Sequence, residues 1–169
     1  MSSSLPGPAI IAAVKSAGVR FIMSVPDIVS SEGLLHPIAR DPDLRLIRVC
    51  KEDEAIGISA GLTACGRRSM LLIQHTGLLD SINALRAVAV EYGMPVCLMV
   101  GLLEKEPGVA PTKSARFGVR IVEPILDAMG IAHHLLETEV DVPILLEAID
   151  RAYVQSKPVV MMLGRRPTP

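Results

Sequence analysis

Six short, nearly unbroken apolar runs recur along the chain, at residues 20–25, 44–50, 69–74, 95–101, 132–136 and 158–163. Each is too short for a buried helix and shows little of the in–out alternation of a half-exposed strand. That is the pattern of parallel strands covered on both faces. Helical spacing fills the intervals, at residues 8–17, 29–39, 52–65, 78–92, 120–129 and 142–155. Gly18, Gly66, Gly93 and Gly130 follow helical stretches, where a left-handed cap is wanted. The alternation predicts an α/β fold: a doubly wound, mainly parallel six-stranded sheet with helices on both faces and right-handed crossovers. With 169 residues, one domain spanning residues 1–169 is expected.

Composition narrows the function classes. Aromatics are 2% of the residues and the net charge is −1, which excludes base-stacking platforms and broad attraction to nucleic acid. The longest apolar run, "MPVCLMVGLL", is too short to span a bilayer, and the first residues lack a basic region before their apolar part. Three cysteines, Cys50, Cys65 and Cys97, stand far apart in apolar surroundings and predict reduced core thiols in a cytoplasmic protein. GxGxxG, GxxxxGK[ST] and GxSxG are all absent, which removes support for nicotinamide, P-loop and α/β-hydrolase chemistry. Half of the residues are hydrophobic, more than a lone domain without a membrane segment needs, so burial against another chain is expected.

Three consecutive acids, Glu52, Asp53 and Glu54, open the third helical stretch. Acids in a first turn complement the helix dipole by ~0.3–1 kcal/mol each, which accounts for any one of them. The residues that follow, "AIGISAGLTA", have almost no polar face, and each glycine among them costs ~1 kcal/mol of helix propensity. A helix apolar all round is expected to be buried all round, with close approach by another backbone or subunit. At least one acid is then expected at the rim of a buried surface, where a carboxyl acquires an altered pKa.

A long connection, residues 102–120, follows the fourth strand, where open α/β sheets bind ligands. It is expected to be mobile and to face the substrate. Its cations are Lys105, Lys113, Arg116 and Arg120. Lys113 and Arg116, at its centre, are the candidate clamp for a substrate anion. His75, beside Gln74 at a strand end, is a candidate substrate donor or proton shuttle. His133 and His134 fall in a later strand and are expected to be structural.

These segments resemble the pyrimidine-binding (Pyr) domain of thiamine-diphosphate enzymes. In that family an apolar strand leads to Glu and a small-residue helix, E-x-x-A-x-x-x-A-x-G. Here Glu52, Ala55, Ser59 or Ala60, and Gly61 match. The chain is most similar to the alpha-type subunits of sulfopyruvate and phosphonopyruvate decarboxylases, whose Q-x-S-G-L-x-x-x-x-N-x-L is matched by Gln74, Thr76, Gly77, Leu78, Asn83 and Leu85. Val25 and Pro26 after the first strand, and "EPGV" from Glu106 to Val109, also match. Thr76 replaces the family Ser, His75 stands where the relatives carry Asn, and "APTKSA" replaces a His-containing segment after EPGV. The last departure leaves the particular substrate open.

The resemblance implies a subunit of a 2-oxo acid decarboxylase. Glu52 would be the cofactor-activating acid. Its carboxyl, hydrogen-bonded to N1′ of the pyrimidine in a dry site, would favour the imino tautomer that deprotonates the thiazolium C2. Val25, Pro26, Thr76 and Gly77 would line the cofactor, and Gln74, His75, Lys113 and Arg116 the small anionic 2-oxo acid. The family's diphosphate and Mg²⁺ site carries a GDG and a later Asn, and no GDG occurs in this sequence. The resemblance therefore implies a separate beta-type, diphosphate-binding subunit in a homo- or hetero-oligomer. The residues also fit a non-catalytic or regulatory α/β module that binds a small ligand; such a module would need no acid at position 52.

Overall fold

A computed structural model describes residues 4–169. The first three residues of the expected domain lie outside the described part. Six parallel strands form one sheet: β1 (Val19–Ser24), β2 (Arg45–Arg48), β3 (Arg68–Gln74), β4 (Cys97–Gly101), β5 (Ala132–Leu136) and β6 (Val159–Leu163). Their spatial order is β2-β1-β3-β4-β6-β5. The order reverses direction at β1 and β3, as doubly wound sheets do.

Burial explains the unbroken apolar runs. Every residue of β4 and β6 is buried, and all but the ends of β3. Successive side chains serve opposite faces. Met70, Leu72, Met99, Met161 and Leu163 join one core with Ile10, Val14, Leu34, Ile38, Leu145 and Ile149. Leu71, Ile73, Leu98, Val100 and Met162 join the other with Ala55, Ile56, Leu85, Ala89, Val122 and Leu126. The first core lies under α1 (Gly7–Ser16), α2 (His36–Arg40) and α8 (Ile144–Gln155). The second lies under α3 (Glu52–Ala64), α5 (Ile82–Ala84) with the turn that extends it, and α7 (Val122–Ala128). Edge strands β2 and β5 are only partly covered.

Gly18, Gly66, Gly93 and Gly130 all take positive φ, between 65° and 76°, as the cap positions require. Several boundaries differ from the sequence expectation. The stretch expected as a helix over 29–39 is a π-helical turn, Ser31–Leu35, running into α2. The helix expected over 78–92 begins three residues earlier as α4 (His75–Asp80), breaks at Ser81, and resumes as α5 followed by a π-helical turn, Leu85–Glu91. The helix expected over 120–129 is split into α6 (Phe117–Arg120) and α7. Of the three cysteines only Cys97 is a core thiol, its pKa pushed up to about 12 by burial, whereas Cys50 and Cys65 are exposed.

The small-residue helix α3 is only partly covered by this chain. Ala55, Ile56 and Ser59 pack inward, but Gly57, Gly61 and Ala64 are exposed, and no atom lies within 4 Å of where a Cβ on either glycine would stand. Within this chain the helix is therefore buried on one face only. No helix among the described residues is long and apolar enough to cross a membrane. Because position 61 has open space and a helical backbone, Gly61→Ala should raise the stability of this chain by ~1 kcal/mol in urea unfolding. A loss of stability would mean that the face is already packed.

Candidate active site

Parallel strands place their carboxyl ends at one edge of the sheet. Ser24 of β1 lies opposite Leu72, Gln74 of β3 opposite Gly101, and Gly101 opposite Leu163. The chain leaving β1 through Val25 and Pro26 turns at Asp27, whose carboxylate accepts the amides of Val29 at 2.7 Å and Ser30 at 3.0 Å. Val29 then lies against the end of β4: a Cβ on Gly101 would stand 2.7 Å from Val29 Cβ. The segment from β1 thus reaches past β3 to β4 and roofs this edge.

The three acids do three different things. Glu54 accepts the backbone amides of Cys50 at 3.0 Å and Lys51 at 3.4 Å, so it caps α3. Asp53 faces Lys51, 3.9 Å away, and Lys51 also pairs with Asp80 at 3.2 Å. One oxygen of Asp53, Oδ1, is buried without a hydrogen-bond partner among the described residues. Glu52, half-buried, leans onto Gly77 in the first turn of α4: a Cβ on Gly77 would lie 2.2 Å from Glu52 Oε1 and 2.3 Å from its Cδ. Any residue but glycine at 77 would displace this carboxyl. All three acids lie in the first turn of α3, and Glu54 is the one whose side chain bonds to the amides before it.

Gln74, His75 and Thr76 join the strand to the helix that carries Gly77. Thr76 Oγ1 donates to Gln74 Oε1 at 2.9 Å. His75, expected at a strand end as a substrate donor or proton shuttle, is 6% exposed and sits in the first turn of α4. Its Nδ1 accepts the Leu103 amide at 3.3 Å, which places the ring proton of the neutral imidazole on Nε2. Nε2 faces Gly118, where a Cβ would stand 2.9 Å away. Burial lowers the His75 pKa, and the nearby Gly101 carbonyl opposes that shift.

The connection after β4 is built, not open. Glu106, Pro107, Gly108 and Val109 form a turn with Gly108 at φ 71° and the Val109 amide on the Glu106 carbonyl at 3.3 Å. The Glu106 carboxylate accepts Ser114 Oγ at 2.7 Å and the Ala115 amide at 3.0 Å, and these bonds hold its pKa below the ordinary value. A 3₁₀ turn, Pro111–Lys113, and α6 fill the rest. Arg116 pairs with Glu104 at 2.8 Å, and Lys113 is exposed on the 3₁₀ turn. The structure joins Glu52 to Gly77, Gln74 to Thr76, and His75 to the loop. It records no contact between Lys113 or Arg116 and Glu52. Sequence reasoning missed the Leu103 amide and Gly118 as partners of His75, because a backbone donor and an absent side chain leave no motif.

A crevice of about 450 Å³, lined by His133, His134, Arg151 and Lys157 among others, lies at the amino ends of β5 and β6, away from this edge. No group of His, Cys, Asp and Glu among the described residues is placed to hold a metal ion.

The lowered His75 pKa carries a sign for stability. The unfolded chain takes up this proton near 6.5 and the folded chain only below that. The contribution is therefore complete above pH 6.5 and is lost as the pH falls from there through the folded pKa. His134 shifts in the same direction through burial, so the comparison needs a variant. Between about pH 7.5 and about pH 5.5, wild type should lose more unfolding free energy than His75→Asn does, measured by urea titration. Equal losses would mean that His75 titrates as it does when unfolded.

No protein-family model matches the chain. Among curated proteins it is 30% identical over 159 residues to the sulfopyruvate decarboxylase subunit alpha of Methanocaldococcus jannaschii, covering 91% of this chain and 90% of that one. It is 33% identical over 92 residues to the protein of the same name from Methanothermobacter thermautotrophicus, where the match covers 54% of this chain and only about half, 55%, of the relative. It is 26% identical over 164 residues to the sulfopyruvate decarboxylase of Methanosarcina acetivorans, covering 94% of this chain but 40% of that longer protein. By its near full-length match to the Methanocaldococcus protein, the chain belongs to the family of sulfopyruvate decarboxylase alpha subunits.

Proposed function

We propose that this chain is the pyrimidine-binding subunit of a thiamine-diphosphate-dependent decarboxylase acting on a small anionic 2-oxo acid, with an active site completed by a separate diphosphate-binding subunit. The observation that carries this reading is the half-buried Glu52 carboxyl seated on Gly77 at the carboxyl edge of the sheet. The missing side chain of Gly77 leaves room for that carboxyl, whose electrostatic partner is the neighbouring Lys51. A half-buried carboxyl so placed can share a proton with a ligand nitrogen.

The residues present fit the pyrimidine half of the cofactor. Glu52 would hold a proton against N1′, while Val25 and Pro26 at the end of β1, with Thr76 and Gly77 in the first turn of α4, would line the ring. When bound, thiamine diphosphate supplies a nucleophilic carbon and an electron sink for loss of CO₂. The protein's part is to orient the ring, keep water from the Glu52 carboxyl, and hold the substrate anion. Gln74 and His75, with its proton fixed on Nε2, belong at the substrate end of this edge. Arg116 and Lys113 are the exposed cations of the loop that follows the turn at Glu106, and Arg116 would have to exchange Glu104 for a substrate carboxylate.

The diphosphate and Mg²⁺ are assigned to the partner. The names of the relatives, "subunit alpha", support a partner chain, and the longer Methanosarcina protein, of which this chain covers 40%, supports a second unit needed for the whole enzyme. The exposed glycine face of α3 is the natural surface for that unit, because it follows Glu52 and lets a second backbone come close. Sulfopyruvate, named in the relatives, is the first substrate to test.

Glu52→Gln in the two-subunit complex should lower CO₂ release from 2-oxo acids by ~10²-fold or more, while Asp53→Asn and Glu54→Gln change it only a few-fold. A panel led by sulfopyruvate, with thiamine diphosphate and Mg²⁺ present, is the assay. Equal losses from all three substitutions would remove the special role of Glu52 and leave only a capping cluster.

A further inference from the structure

One buried charge ties down the loop that leaves β4. The Lys105 side chain has no exposed surface. Its ammonium donates to Glu137 Oε1 at 2.5 Å and to the Glu106 carbonyl at 3.1 Å. Glu137 follows β5, which is separated from β4 by β6. The ion pair therefore passes across the end of β6, and Gly164 makes the room: a Cβ there would lie 2.8 Å from Glu137 Cγ. The Glu137 amide is itself held by Asp141 Oδ2 at 2.9 Å. One end of the pair is thus fixed to the sheet and the other to the loop.

From Lys105 the constraint spreads in both directions along the chain. Two residues back, the Leu103 amide meets His75 Nδ1. One residue back, Glu104 is held at φ 60°, a left-handed conformation that a residue with a side chain rarely adopts, and it carries Arg116. One residue on, the Glu106 carboxylate closes the loop onto Ser114 and Ala115. His75 and Arg116 both contact residues within two positions of Lys105.

A buried ion pair is a weak device for stability, because two apolar side chains of similar volume are often as stable or more so. It does impose direction, since only one loop position satisfies both charges. We infer that Lys105 is a positioning residue: through the pair that its buried ammonium makes with the partly exposed Glu137 it fixes the conformation of the loop between β4 and α6. For substrate, and here resting on the proposed decarboxylase function, it thereby lowers KM for the anionic 2-oxo acid.

The test separates position from stability. Lys105→Met alone leaves a partly exposed Glu137 carboxylate without its cation and should lower Tm. The double variant Lys105→Met/Glu137→Leu removes both charges and should recover most of that Tm. If the pair sets position, the double variant still exchanges the amide protons of Leu103, Val109 and Ala115 ~10-fold faster than wild type, while those of Met99 and Val100 in β4 are unchanged. Its KM for the 2-oxo acid then stays ~5-fold or more above wild type. Glu137→Gln, a nearly isosteric change that tests the charge alone, should move the same loop amides in the same direction. Wild-type exchange at all three loop amides in both variants overturns the positioning role, as does recovery of KM together with Tm in the double variant. If the wild-type complex decarboxylates no 2-oxo acid, the functional reading fails by itself, and amide exchange on the full chain still decides the role of Lys105.

Discussion

Glu52 and Gly77 meet where two helices begin, and the side chain that Gly77 lacks is the space that the Glu52 carboxyl fills. Each residue reaches that point through its own strand: Glu52 opens α3 just after β2, and Gly77 lies in the first turn after β3. The parallel sheet brings both to its carboxyl edge, and β1 between the two strands sends Val25 and Pro26 to the same place. Any shift of α3 against α4 would move the carboxyl off its seat. The inward face of α3, Ala55, Ile56 and Ser59, works against that shift by packing on the sheet, with Ser59 Oγ 3.0 Å from Ser69 Oγ of β3.

The outward face of the same helix makes the opposite choice. Gly57 and Gly61 give up helix stability and leave open space above them. A helix that served only this chain would gain by carrying alanine there. Half of a helix with almost no polar face is thus left uncovered by this chain, which is the basis for proposing it as the surface for a second subunit.

Much of this was legible in the sequence because it depended on local pattern. The run "AHHLL" became β5 without a residue's error, since Gly130 ends the helix before it and the run itself is short and apolar. Glu52 stood out because the helix behind it was too apolar for a cap alone to explain. What depended on distant contacts was not legible. The π-helical turns at Ser31–Leu35 and Leu85–Glu91 keep a helical apolar spacing and differ only in their hydrogen bonds. The connection after β4 is expected to be mobile without substrate from its length, Gly108 and Gly118 and its place after a strand end, and its internal contacts carry no motif. Its order comes from Glu106 meeting Ser114 and from Lys105 meeting Glu137, 32 residues away in sequence. Lys105 looked like one more solvated cation, yet it is the charge that the fold buries.

In the proposed enzyme the Glu52 carboxyl acts on the pyrimidine of thiamine diphosphate. Hydrogen–deuterium exchange at the cofactor's thiazolium C2, followed by quenched NMR in the two-subunit complex, reads that action before any substrate is added. Exchange in Glu52→Gln should be slower than in wild type by ~10²-fold or more, the scale of lost acid–base assistance. Wild-type exchange in Glu52→Gln, with the cofactor shown to be bound, would contradict the account.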